Sequence, residues 1–567
     1  MFDKLISRFQ SSKAPDHPLA SEEGIDALLT GLPESDPGRL LFEIDERLAD
    51  MEATVREIGP ALALRALDRL DQFSRPAERH LLSRYLSPSE REYQAESAWS
   101  ALESHAVPLF RCYRQFLTPA LELKTDDDRL RMARCAARAM MAWALRKNLQ
   151  HFRYRVPGAE LWQDAHDLAQ VLARLALLKT VVTPYRNEDE TTPLGEYLIG
   201  LYLEFVPIGN LVPQQLEFVE AFLRSCEGLD LSAQAHNLST HRVDLSQARG
   251  PQRLMGDDTG GGNVRYCSVP KLRGALMKLA TQTRSKDGAP VWMGLLPASA
   301  EQVEGAIGVL MAHWASKPPK RGRDRISGHG TLRVMLGFGH ARRMVAATQF
   351  ARKGRSMKYE GTDLVTMTRQ FEESRFGTVT APKAAAPEES APPSVEEIAS
   401  PMDILQQIES AGAQAQMEQW SLADHSATGI GAIAPAVLAR HRIGVLVCLR
   451  ESDGIDWRLG VIRRIGRDSE NRPSIGLETL AWPSICAVAK PVGEESAWAR
   501  VVDGGGSGWS DAIIVSLDGN QLILPAGTFV ERMEVGVRSE VGQWRVRLDA
   551  LLDHGPDYDR IEFTRVS

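Results

Sequence analysis

The chain has little of what marks an enzyme or a metalloprotein in sequence. Its cysteines, Cys112, Cys135, Cys226, Cys267, Cys448 and Cys486, are widely scattered in 567 residues, and none forms a C-x-x-C pair. That spacing gives no sign of a zinc ribbon, and it predicts buried free thiols in a reducing compartment. The histidines show no metal-ligand spacing. There is no G-x-S-x-G, H-E-x-x-H or Walker loop. "GDDTGGGN" is glycine-rich but lacks the Lys-Ser/Thr ending that phosphate loops need. No catalytic residue, metal or cofactor is therefore expected. Long apolar runs are missing too: "LAQVLARLALLKTVV" is interrupted by Gln170, Arg174 and Lys179, short of the roughly 18 uninterrupted apolar residues of a membrane span. "MFDKLISRFQSSK" has no signal-peptide layout, so a cytoplasmic protein is expected. Nor is there a positive excess. A formal net charge of -7 argues against a nucleic-acid partner, which a broad basic surface would have to hold.

What is present divides into blocks. The chain is too long for one ordinary core. Residues 1–35 read as a mobile tail and 36–235 as an all-α block. Asp36-Pro37 supplies an N-cap and a proline at the first helical position. Leu40, Leu41, Ile44, Leu48, Met51, Val55 and Ile58 then recur at steps of three and four until Gly59-Pro60. A second start is read at Ser87–Glu90, and helical pattern continues at about 97–118, 128–150, 160–181 and 194–226. Residues 236–316 are mixed α/β. There Ser299 and Gln302 fit a capping box ahead of the stripe Val303, Ile307, Leu310, Met311 and Trp314.

Period two begins after Thr331, with Leu332, Val334, Leu336 and Phe338 on one face. Residues 376–402 are a Pro/Ala/Glu low-complexity segment whose composition predicts disorder. From Met417 onward short strands follow one another, punctuated by Gly, Pro, Asp and Asn, which is the pattern of a small barrel or sandwich. A last β-rich block covers 491–567, either completing that barrel or forming a second one.

Two short pieces carry chemistry. In "KPPKRGRDRISGHG", Arg321 and Arg325 stand in Arg-x-x-x-Arg spacing just before a strand. In "DHSATGIG", Asp424, Ser426 and Gly429 occupy a strand end and turn. Alone, the first reads as a solvated linker, and the second as a turn capped by Asp424 and Ser426. Together, Arg-x-x-x-Arg, a strand, then Asp-x-Ser-x-x-Gly on the following strand resemble the PilZ domain family of cyclic di-GMP receptors. The downstream order "HRIGVLVCLR", "WRLGVIRRI", "IGLETL" is similar as well. The resemblance covers about 317–338 and 417–482. It departs from the family where 98 residues separate Arg325 from Asp424, which an insertion at about 340–415 would explain at little closure entropy.

Length and periodicity make this an α+β multidomain protein with an N-terminal helical block. The resemblance implies that a PilZ-like antiparallel barrel over 317–490 follows, with the long disordered insertion, ahead of the C-terminal β-rich block. It implies a clamp of Arg321 and Arg325 and a barrel-surface half of Asp424, Ser426 and Gly429. Guanine O6 and N7 and the phosphates suit the planar fork of arginine. A carboxylate accepts from guanine N1–H and N2–H, and Gly429 would allow a positive φ or close ligand approach. The resemblance implies a non-enzymatic effector that binds cyclic di-GMP; that this binding is coupled to the helical block, and that the block contacts an unidentified protein partner, is a further expectation that the resemblance does not supply. The alternative is a degenerate PilZ-like interaction scaffold that binds no nucleotide.

Overall fold

The computed structural model describes residues 18–87, 90–117, 125–255, 260–283, 288–315, 326–353, 417–438, 440–452, 454–468, 470–480, 482–493, 498, 509–516 and 520–566. The chain divides into two compact units, Met1–Gly322 with Val437–Arg440, and Arg323–Ala436 with His441–Ser567.

The first unit is built on helices α1 (Glu22–Thr30), α2 (Pro37–Ile58), α3 (Pro60–Leu86), α4 (Glu92–Leu117), α5 (Asp126–His151), α6 (Ala159–Arg174), α7 (Pro193–Tyr202) and α8 (Pro213–Ser225). Asp36 caps α2 as expected, accepting from the Arg39 amide. Gly59 takes a φ of 86°, so the chain turns there and restarts at once as α3. The start read at Ser87–Glu90 lies partly outside the described residues.

Of the tail expected over 1–35, the described part, from residue 18 on, is not a mobile tail. Ser21 caps α1, Leu19 and Ile25 are buried, and the Arg69 guanidinium binds the carboxylates of Glu22 and Asp26. Apolar anchors and a double ion pair give this segment enough contact to outweigh its ordering entropy.

The mixed region adds strands β1 (His241–Asp244), β2 (Gln252–Arg253) and β3 (Val264–Cys267), ordered β2-β1-β3, and helices α9 (Pro270–Thr283) and α10 (Ala300–His313). The Ser299–Gln302 capping box is present. Val303, Ile307, Leu310 and Trp314 join the same apolar core as the preceding helices, and the Trp314 indole donates to the Phe205 carbonyl at 2.8 Å.

The second unit holds two antiparallel barrels. The first comprises β4 (Ile326–Ser327), β5 (Thr331–Leu336), β6 (Glu418–Ser426), β7 (Gly429–Ile433), β8 (Leu446–Glu451), β9 (Arg458–Arg467) and β10 (Pro473–Thr479). Its strand order is β4-β6-β5-β8-β9-β10-β7, and pairing of β6 with β7 closes it. The second comprises β11 (Ile485–Pro491), β12 (Ser510–Ser516), β13 (Gln521–Pro525), β14 (Glu534–Ser539), β15 (Gly542–His554) and β16 (Tyr558–Val566), and closes as β11-β12-β13-β16-β15-β14. So the C-terminal block is a barrel of its own. It starts at Ile485 rather than 491, because β11 pairs with β12 and β14 and not with the first barrel.

The expected insertion at 340–415 does not begin as a loop. Gly337, at φ 95°, ends strand β5, and helix α11 (Phe338–Lys353) follows. Its buried residues Phe338, Ala341, Met344 and Val345 share a core with Leu446, Trp457 and Val461 of the first barrel and with Ile513, Ile523 and Tyr558 of the second. Phe338 therefore belongs to the helix and not to the strand. Residues 354–416, with the low-complexity segment 376–402, lie outside the described residues.

Candidate functional site

β4 and β5 lie end to end along one side of β6, separated by Gly328–Gly330. β5 pairs Thr331 with Ser421, and β4 pairs Ile326 with His425 and Ser327 with Asp424. Arg321 and Arg325 themselves lie outside the described residues. Ile326, the residue after Arg325, sits opposite His425, between Asp424 and Ser426. Ile326 and His425, with 98 residues between them in the sequence, thus meet on one rung of a sheet.

β6 and β7 form a hairpin with Ala427–Thr428 at its tip, Ser426 facing Gly429. The register slips between Leu422 and Asp424, a bulge that re-aims the strand as bulges beside functional sites do. Asp424 then falls opposite Gly431. A Cβ at Gly431 would meet the Asp424 carboxylate at 2.5–3.0 Å, so the half-buried carboxylate lies across the bare backbone of β7.

Ser426 Oγ donates to the Gly429 carbonyl at 3.3 Å and fastens the hairpin. Of the two roles expected of Gly429, the positive φ is not the one it fills. Its φ is not among the positive ones, and a Cβ there would meet the Leu477 carbonyl of β10 at 2.9 Å. The close approach that demands glycine is made by a neighbouring strand.

Arg464, which was not expected among the ligand-binding residues, shares this face. Gly431 pairs with Gly476 of β10, and Gly476 with Arg464 of β9. A Cβ at Gly476 would meet the Cβ of Arg464 at 3.3 Å, which places the exposed Arg464 on the side of Asp424. Inward-facing Ile465 and Ile475 are fully buried, so the row Asp424, Gly431, Gly476, Arg464 runs over the outside of the barrel. The signal in the sequence was a glycine in mid-strand at 476, which often marks close approach of a ligand or another backbone.

The charged groups around this row are otherwise engaged. Arg463 binds Glu478 at 2.7 Å and Asp553 at 2.5 Å, and Arg560 reaches Glu478 at 3.4 Å. Arg472 pairs with Asp468 and Glu470.

A separate cleft of about 830 Å³ in the helical unit is lined in part by Asp68, Arg69, Arg134, Arg138 and Arg186. Arg134 and Arg138 share Asp68, and Arg69 is held by Glu22 and Asp26. Its cations are largely neutralised by the protein itself. Among the described residues no group of three or more His, Cys, Asp or Glu could hold a metal ion, and no helix is long and apolar enough to cross a membrane.

Comparison with known proteins bears on the helical unit. Residues 23–233 match the family model described as the cyclic-di-GMP receptor FimW, N-terminal domain. The match runs from α1 to just past α8 and leaves both barrels outside it. No curated protein and no solved structure matches the chain.

Proposed function

We propose that the chain is a cyclic di-GMP receptor whose nucleotide site lies on the first barrel and whose helical block engages a protein partner. The observation that carries the reading is the β4–β6 register, which sets the residue after Arg325 against the Asp424–Ser426 strand. The similarity of 23–233 to a domain described as part of a cyclic-di-GMP receptor supports it independently.

In this reading Arg321 and Arg325 fork onto phosphate and the guanine Hoogsteen edge, a bidentate geometry that lysine cannot supply. Asp424 accepts from guanine N1–H and N2–H. Ser426, with its proton committed to the Gly429 carbonyl, offers its oxygen as an acceptor. Gly429 serves by holding the hairpin against β10, so that the outer face stays low beneath the ligand. The protein is then an effector and not an enzyme, and the helical block responds to occupancy.

Calorimetric titration with cyclic di-GMP tests the site. Wild type should bind saturably, and Arg321→Ala, Arg325→Ala and Asp424→Ala should each lose binding while remaining folded. A wild type without saturable binding, or an Asp424→Ala protein of unchanged affinity, overturns the reading. The fact that Ser426 and Gly429 are both engaged in closing the hairpin favours the rival, a barrel that binds no nucleotide, and the same titration separates the two. Hydrogen exchange tests the coupling. Adding nucleotide should change protection within 22–225 in wild type but not in Asp424→Ala, and identical exchange with and without ligand removes the coupling.

A further inference from the structure

We infer that the ligand groove continues from Asp424 across β7 and β10 to Arg464, and that Arg464 binds the part of the ligand farthest from Asp424. This rests on the nucleotide site proposed above.

The argument begins with the two glycines. Gly431 and Gly476 lie in the middle of paired strands, directly in register, where a β-branched residue would favour the sheet. Each instead leaves the outer surface without a side chain. At Gly431 the vacated space is taken by the Asp424 carboxylate; at Gly476 an added Cβ would press on Arg464 at 3.3 Å. The result is a strip with little side chain on it, the Asp424 carboxylate lying over β7 and Arg464 on β9 bordering the bare backbone of β10. At ~4.8 Å per strand the backbones of β6 and β9 that carry the two charges are roughly 14 Å apart, a span that suits a ligand of two joined nucleotides.

The state of Arg464 points the same way. Its neighbour Arg463 lies where the register slips, turns toward the second barrel and is taken by Glu478 and Asp553. Arg464 is exposed and makes no ion pair among the described residues. An arginine beside a cleared strip of backbone has its fork available for a phosphate or for guanine O6 and N7.

Titrations of cyclic di-GMP into the full chain should show Arg464→Ala weakening binding by about tenfold or more with an unchanged melting temperature, and Arg464→Lys restoring part of the loss. Gly476→Val, which puts a side chain on the strip and leaves Arg464 in place, should weaken binding as well. If wild type binds and Asp424→Ala does not, while Arg464→Ala and Gly476→Val bind as wild type does, the extension is overturned and the site itself stands. If wild type does not bind, the underlying reading fails, and the extension with it.

Discussion

A few side chains buried in the wrong chemical surroundings decide much of the helical unit. Lys147 is fully buried, and its ammonium donates to the Gly200 carbonyl at 2.6 Å and to Glu204 at 2.8 Å, with His151 on the same carboxylate at 2.7 Å. Burial alone would raise the Glu204 pKa, but Lys147 and His151 override it and hold the carboxyl at about 2. The folded value lies below the ordinary 4.5, so the contribution to stability is complete above pH 4.5 and fades as the pH falls toward 2. Glu204→Gln should cost on the order of 3–5 kcal/mol near neutral pH, because it strands a buried ammonium. Denaturant titrations at pH 7 and pH 3 should show the gap between wild type and variant narrowing at the lower value. Gly200 itself packs against the Trp143 ring so closely that a Cβ would overlap it. Gly200→Ala should lose about 1–3 kcal/mol through overpacking, read as a lowered denaturation midpoint.

At the scale of elements, helix α11 explains why the two barrels share a core. Its first amide, that of Phe338, is capped by Asp557 from the turn between β15 and β16, so the second barrel caps a helix that grows out of a strand of the first. Asp557→Ala removes that cap and should cost about 0.5–2 kcal/mol, with faster amide exchange confined to the first turn of α11. Unchanged exchange there would show the cap to be dispensable. The apolar stripe Phe338, Ala341, Met344, Val345 was visible in the sequence at steps of three, three and one. The period of two begun at Leu332 competes with it, because Phe338 fits that alternation as well. The left-handed Gly337 decides where one period ends and the other begins, and glycine reads equally well as a turn or as a gap in a strand.

At the scale of the whole molecule, the β10 strand beneath the candidate site is tied to the second barrel. Glu478, the register partner of Gly429, is gripped by Arg463 and Arg560. Arg463 continues to Asp553, which also accepts from the Tyr558 hydroxyl at 2.6 Å. Asp553→Ala removes a shared carboxylate from a partly buried network, with an expected cost of about 1–3 kcal/mol. Hydrogen exchange should then rise in β9 and β10 as well as in β15. An effect limited to β15 would mean that the barrels do not depend on each other through this network.

The sequence by itself determined the order of the architecture. Helical periodicity and capping residues fixed the all-α block, the Ser299 box fixed α10, and alternation with turn residues fixed the strands from 417 onward. These signals are local, carried by residues three, four or two apart. The chemical nature of Asp424 and Ser426 was legible in the same way. Tertiary structure alone decided which strands close which barrel, that β11 belongs to the second, and that Leu19 and Ile25 anchor a segment resembling a tail. It alone set Ile326 beside His425 across 98 residues, assigned the glycine at 429 to the Leu477 carbonyl, and brought Gly431, Gly476 and Arg464 into one row. Those are matters of register between distant strands, and register depends on bulges and pairings that no single strand's sequence specifies.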